Sequence, residues 1–425
     1  MTISPPNLMK VLAPLAVFAV LLAVFFAINR DEAPSLPVIA DAGSPSGDAV
    51  ADYQRAVRAA PESATAFAGL GEAYLARARE TGDPGLYSRA ERAFDAALRR
   101  DPDDLGALIG SGNLAGLRHD FREQLRLGRL AVAEAPGLAR PYTVVADAQI
   151  ELGRYPEAAE SIQRVLDVRP GLAAYSRASY YRELTGDPAG AVEAMRLAAS
   201  AGGSPESVAY IQVLLGDLEL GQGNSGTARV AYTSALRSLP GFPAGLVGLA
   251  RADAAGGDLG RAAARLRRAA ERLPLAATLV LLSEVERARG RDDAAEAALA
   301  GASAQRQLLI ANGTAPDAES VLFEADHGSP VRAVALGRRV WRAAPSVRSA
   351  DALGWALVRS GRPEAGLRWS RRALAPGSRD PLFRYHAGLA AVAAGGSGAR
   401  DLSIAIRGGG MLSPRQLKQA KEALR

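Results

Sequence analysis

One grouping of apolar positions returns along the chain: an Ala, a bulky residue four on, a small or aliphatic residue three further, and a Pro five after that. It reads Ala49/Tyr53/Ala56/Pro61, Ala90/Phe94/Ala97/Pro102, Ala158/Ile162/Val165/Pro170, Ala228/Tyr232/Ala235/Pro240 and Ala262/Leu266/Ala269/Pro274. Steps of four and three keep these side chains on one helix face, and the Pro, having no N–H to donate, ends the helix. Pro102, Pro136 and Pro170 are each 34 apart, as are Pro240 and Pro274. The gaps of 70 from Pro170 to Pro240 and 71 from Pro274 to Pro345 each hold two units plus a short insertion. A fixed period of this length predicts an array whose units bury their apolar faces by stacking on neighbours.

A first helix precedes each of these second helices. It carries a small residue on an otherwise aliphatic or aromatic face: Leu70-Gly71 with Tyr74, Val145-Ala146, Leu215-Gly216 and Leu249-Ala250. A turn follows at Gly153, Gly186, Gly223, Gly257, Gly290, Gly328 and Gly361, where a left-handed cap suits a residue without Cβ. The Ala of the second helix then stands 12 residues after the small residue, in Ala146/Ala158, Gly216/Ala228 and Ala250/Ala262. Facing small residues predict helix axes at the short end of ~8–10 Å.

This helix–turn–helix pattern resembles the tetratricopeptide repeat family over nearly all of the chain from about Asp48 to about Gly408. The fold class expected is all-α: an α-solenoid, a right-handed superhelix of about ten tetratricopeptide-like hairpins, preceded by one transmembrane helix. Residues 48–412 would be the solenoid, opening with a half-repeat at Ala49–Ala60, and 413–425 a capping helix begun by Ser413. Several positions depart from the family pattern. Phe67, Leu108, Tyr142 and Leu246 replace its frequent Trp. Gln124, Gly128, Gly337 and Gly366 fall at core-facing places of second helices and predict local softness, since Gly costs ~1 kcal/mol against Ala within a helix. Seven extra residues between Tyr74 and Ala90 predict a longer turn around Gly82-Asp83-Pro84-Gly85.

Val11 to Ile28 is an uncharged apolar run of 18 positions, just long enough to cross a bilayer as a helix. Phe25 with Ala27 does not give the small residues a cleavage site needs, so an uncleaved signal anchor is favoured over a cleaved signal or a buried helix. The expected layout is a short cytoplasmic N-terminus (1–10), a membrane helix (11–28), a flexible Pro-, Ser- and Gly-rich tether (29–47), and repeats on the extracytoplasmic side of an inner or cytoplasmic membrane. The absence of Cys excludes disulfides, thiolate metal sites and lipidation of an N-terminal Cys.

The net charge of +6 rests on 48 Arg against 3 Lys. Arg265, Arg268, Arg272, Arg338, Arg339, Arg342, Arg371 and Arg372 project from second helices as a basic stripe on the convex side, read first as a solvated face and otherwise as a docking face for anionic lipid or an acidic partner. His119, His327 and His386 belong to different hairpins and have no ligands at metal spacing. Gly221-Gln-Gly223-Asn-Ser-Gly226 matches a dinucleotide fingerprint only as text, because no strand precedes it. No Walker loop, HExxH or GxSxG occurs, so neither enzyme chemistry nor a cofactor is expected, and no nucleic-acid partner.

The resemblance implies that first helices line a concave groove receiving a peptide. Helical projection places Asp351, Trp355, Arg359, Tyr385, Tyr180, Tyr210 and Arg251 there, with Trp355 and Tyr385 as aromatic anchors. The function expected is a membrane-tethered scaffold binding a partner polypeptide in that groove, with assembly of an envelope complex as its narrower form. A groove-based small-ligand receptor or enzyme and a membrane-docking convex face are the alternatives.

Overall fold

A computed structural model describes residues 48–425. The predicted N-terminus, membrane span and tether (1–10, 11–28 and 29–47) lie outside the described residues. Among those described there are 22 α-helices, one short 3-10 helix and no strand. None of these helices is long and apolar enough to cross a membrane.

A lone helix α1 (Ala49–Ala59) is followed by ten hairpins. The first five are α2 (Ala64–Thr81) with α3 (Gly85–Arg100), α4 (Leu105–Leu117) with α5 (Phe121–Glu134), α6 (Ala139–Glu151) with α7 (Tyr155–Val168), α8 (Leu172–Leu184) with α9 (Pro188–Ser200), and α10 (Pro205–Gly221) with α11 (Ser225–Ser238). The second five are α12 (Pro243–Ala255) with α13 (Leu259–Arg272), α14 (Ala276–Ala288) with α15 (Asp292–Ala311), α16 (Ala318–His327) with α17 (Pro330–Ala343), α18 (Val347–Arg359) with α19 (Pro363–Leu374), and α20 (Pro381–Ala393) with α21 (Ala399–Arg407). A 3-10 turn at Gly409–Met411 and a last helix α22 (Pro414–Ala423) complete the chain. The all-helical run of hairpins fits the expected solenoid.

The recurring pattern is a knob between two holes. The Ala positions Ala90, Ala97, Ala158, Ala228, Ala235, Ala262 and Ala269 are fully buried, as are the bulky Tyr232 and Leu266. Phe94 lies over Gly71 of its own hairpin and Gly110 of the next, and Tyr232 lies over Gly216 and Gly248 in the same way. A methyl at any of these four glycines would overlap a buried ring. Tyr53 of α1 sits on Gly69 by the same device, which lets the half-repeat close the array.

Helix starts are set by side-chain caps: Asp104, Asp120, Asp187, Asp258 and Ser329, among others, accept from a backbone N–H in the first turn of the helix each precedes. Six of the seven predicted turn glycines have positive φ, but Gly328 does not, at φ −125°. The turn of the second hairpin carries a left-handed residue that is not Gly, His119 at φ 61°. Two further expectations are corrected. The extra residues after Tyr74 lengthen α2 and α3 instead of the turn, which spans only Gly82 to Pro84. Gly366 is a close contact, not a soft spot: a Cβ there would stand 2.8 Å from the Gly354 carbonyl, so α18 and α19 approach backbone to backbone.

The superhelix is wound tightly enough for one winding to rest on the next. Gly82 lies against Leu273. The His119 Nδ1 stands 2.8 Å from the Ala315 carbonyl, and the Ala315 N–H donates to the Arg118 carbonyl at 2.9 Å. Gly153 abuts Pro345, while the Val347 N–H donates to the Tyr155 hydroxyl at 2.9 Å. Gly186 packs on Gly377, and Gly223 on the Arg407 carbonyl. In each case the turn inside one hairpin meets the linker that follows the hairpin five further on. The repeat pattern alone carried no sign of this: the unit Val50–Arg425 has a seam joining residues about 190 apart.

Candidate functional site

First helices line the concave side, as the repeat geometry requires, and their polar residues form a mixed-charge surface. On the first hairpins, Glu72 faces Arg140 at 3.8 Å, and Asp147 receives two hydrogen bonds from the Arg177 guanidinium at 2.7 and 2.8 Å. A cavity of about 440 Å³ opens here between α2, α4, α6 and α8, lined by Arg79, Asn113, Gln124, Asp147, Glu151 and Tyr180 among others. Tyr210 stands beyond it on α10 and is 53% exposed.

The seam modifies this surface where the next winding comes down on it. Arg348, at the start of α18, lies over the Tyr180 ring at 5.6 Å, and the Tyr180 hydroxyl donates to Glu151 at 3.3 Å. Burial pushes the Tyr180 hydroxyl up, and burial also raises the Glu151 carboxyl against the pull of Arg348. Glu183 is pushed up to about 7 by burial and by Asp380 and Asp217, with Arg348 opposing. Arg251 donates to the Met411 sulfur at 3.7 Å. Of these three groove candidates, Tyr210 is open, Tyr180 is partly covered by Arg348, and Arg251, on the sixth hairpin, is engaged by the C-terminal segment.

The concave face of the later hairpins is already occupied. Helix α22 packs on both helices of the last hairpin, α20 and α21, and also reaches α14 and α16 across the concave side. Arg415 reaches Glu284 at 3.1 Å and Asp326 at 3.5 Å, and the Tyr385 hydroxyl donates to the Gln419 carbonyl oxygen at 2.6 Å. Leu417, Ala420 and Ala423 join an apolar cluster that contains Trp355 and Tyr385. Burial works against the Arg415 charge, but Glu284 and Asp326 outweigh it and hold the guanidinium above its usual value.

The predicted groove residues of this half are therefore brought together but covered. Trp355 is 3% and Tyr385 0% exposed, with ring centroids 5.6 Å apart. The Trp355 Nε1–H donates to Asp326 at 3.1 Å, and Arg359 stands 3.5 Å from the same carboxylate. Asp351 does not reach the groove. It is buried 2.7 Å from the His386 Nδ1, and His386 stacks on Trp355 at 4.4 Å. The other two tryptophans, Trp341 and Trp369, pack edge to face at 4.9 Å between α17 and α19.

On the second helices, Arg268, Arg272, Arg338, Arg339, Arg342, Arg371 and Arg372 are exposed, as the stripe required. Arg372 also lies 4.8 Å over Trp341. Arg265 is withdrawn: with Arg229 it clasps the fully buried Asp253, at 2.8 and 2.6 Å. Glu219 with Arg196, and Glu286 with Arg267 and Arg289, repeat the arrangement on neighbouring first helices. Part of the Arg excess therefore serves the joints between hairpins. Sequence reasoning missed these acids, although Glu219, Asp253 and Glu286 recur at the repeat period. His119, read as helix-end or turn packing, stands in the turn of the second hairpin, 34 residues before Gly153. For Arg348, Glu183 and Arg415 no local signal exists. Among the described residues no cluster of His, Asp and Glu is arranged to hold a metal ion.

Residues 146–205 match the tetratricopeptide repeat, a stretch from within α6 to the start of α10. No curated protein matches. Among solved structures, the human IFIT1 dimer with m7Gppp-AAAA is similar at 16% identity over 77% of this chain and 76% of that one, with a TM-score of 0.48. The pilF protein of Pseudomonas aeruginosa shares 17% identity over 50% of this chain and 93% of its own, at 0.38. A thermophilic tetratricopeptide protein of Thermus thermophilus shares 21% over 40% and 92%, at 0.36. These likenesses are too loose to transfer a ligand. The matched stretch covers the hairpin α8–α9 and parts of its neighbours.

Proposed function

We propose that the protein is an interaction scaffold that holds a partner polypeptide on the concave surface of its first five hairpins. Tetratricopeptide proteins generally mediate protein–protein contacts, and the observation that carries the reading here is the open, mixed-charge surface around Arg79, Asn113, Asp147 and the exposed Tyr210. Exposed aromatics beside paired charges are what an extended peptide uses for anchoring and register. In this reading residues 11–28 tether the scaffold to a membrane with the repeats on the extracytoplasmic side, and the partner is another envelope protein. A photo-crosslinking residue placed at Tyr210 in the full chain should capture a discrete polypeptide in cells. Capture unchanged by Arg177→Glu, which reverses charge within the surface, or no capture at all, would end the proposal.

A further inference from the structure

The concave face of the last four hairpins is built like a binding groove, and a piece of the chain's own terminus lies in it. Its floor is aromatic, with Trp355 and Tyr385, and its walls are acidic, with Glu284 only 4% exposed and Asp326 beside it. The remaining cations near these carboxylates are Arg359, 3.5 Å from Asp326, and His327, 3.9 Å from Glu284. Burial lowers the His327 ring's affinity for a proton, which leaves Arg415 of α22 as the cation that reaches both acids.

Helix α22 is held differently from the elements before it. Gly408 and Gly410 approach Gly221 and Leu220 so closely that a side chain on either would overlap, so the 3-10 turn is anchored on α10. Beyond that anchor, α22 begins with a capping box between Ser413 and Gln416 and ends two residues before the terminus. Its contacts with the groove are the ion pairs of Arg415 with Glu284 and Asp326, hydrogen bonds from Ser413 to Glu284 and from Tyr385 to Gln419, and the small apolar row Leu417, Ala420 and Ala423. Lys418 and Lys421 point to solvent. Without this helix Glu284 would lose the Arg415 guanidinium and keep only His327 at 3.9 Å, while Asp326 would keep Arg359 at 3.5 Å.

We propose that α22 is a displaceable cis ligand, and that the groove of hairpins seven to ten takes a basic amphipathic helix from a partner polypeptide, with an Arg at the place of Arg415 and apolar residues at those of Leu417 and Ala420. The inference rests on the concave surface being the place where this scaffold meets polypeptides. It adds a second docking groove, closed in the free protein and opened by competition.

The probe is a fluorescein-labelled peptide with the sequence of residues 411–425, titrated into the full chain and into its Arg415→Glu variant. That substitution sets a carboxylate against Glu284 and Asp326 and releases α22. The variant should bind the peptide at least tenfold more tightly than the unaltered chain, where the tethered helix competes at high effective concentration. A peptide carrying the same Arg→Glu change should not bind. Should the variant lose its helical circular dichroism, hydrogen exchange on the unaltered chain decides: excess peptide should speed exchange in 413–425 and slow it in α20. Absence of binding to a folded variant, or protection of α22 equal to that of α20 and unmoved by peptide, overturns the proposal. A concentration-dependent dimer abolished by Arg415→Glu would assign the groove to a second copy and overturn the partner. Crosslinks at Tyr210 form a separate arm: if they persist while the peptide fails, only the cis ligand falls, and if they fail while the peptide binds, only the first surface does.

Discussion

At the scale of single residues, the fold depends on where a methyl group is missing. Gly216 and Gly248 receive the two faces of Tyr232, so Gly216→Val forces a branched side chain into a fully buried ring and should cost about 2–3 kcal/mol in urea unfolding. Gly226, with nothing near it, is the contrast: Gly226→Ala should gain about 0.5 kcal/mol by restricting the unfolded chain. Glu183 contributes to the pH dependence, alongside Glu151, Asp217 and Asp351, whose carboxyls burial also raises. The Glu183 carboxyl titrates near 7 in the folded protein against an ordinary 4.5, so the folded state holds the extra proton between those values. Stability should therefore fall as pH rises from about 4.5 through 7. Glu183→Gln should raise the melting temperature at pH 8 and leave it unchanged at pH 4, as differential scanning calorimetry would show. The small residues were readable because they recur; the environment of Glu183 was not, since Asp380 and Arg348 reach it only across the seam.

Among elements, the joints between hairpins combine apolar stacking with buried acids. Asp253 on α12 is clasped by Arg229 from the preceding hairpin and Arg265 from its own. Asp253→Ala leaves two guanidinium groups facing each other and should cost about 2 kcal/mol, moderated because both arginines reach solvent. The urea midpoint checks this, and Arg229→Ala in the same background should recover part of the loss. Helix existence and order followed from period, proline and cap residues. The length of α2 and α3 did not, because an insertion of helix-forming residues can extend a helix as readily as a turn, and neighbouring helices decide. The course of α22 was equally hidden: a polar terminal helix reads as a solubilising cap until Glu284, Asp326 and Tyr385 are seen to face it.

For the molecule as a whole, the seam changes what a repeat protein does when it unfolds. An open solenoid is coupled only between neighbours, whereas here hairpin turns also rest on linkers five hairpins on. Gly186, at φ 90° and against Gly377, is a position where any side chain is both strained and in the way. Gly186→Val should part the windings: small-angle X-ray scattering would show a larger radius of gyration, far-UV circular dichroism would keep its helical signal, and urea unfolding would lose cooperativity. What the sequence by itself determined is what local periodicity carries: all-helical hairpins, about how many there are, and which residues of each helix face inward. These depend on residues within about one repeat of each other, where backbone geometry leaves few choices. Only the tertiary structure decided which parts of the concave face are open. Small rotations at each joint accumulate over many hairpins, and whether the windings touch, and where the terminal helix comes to rest, is set by that sum and by contacts between residues that no local pattern links.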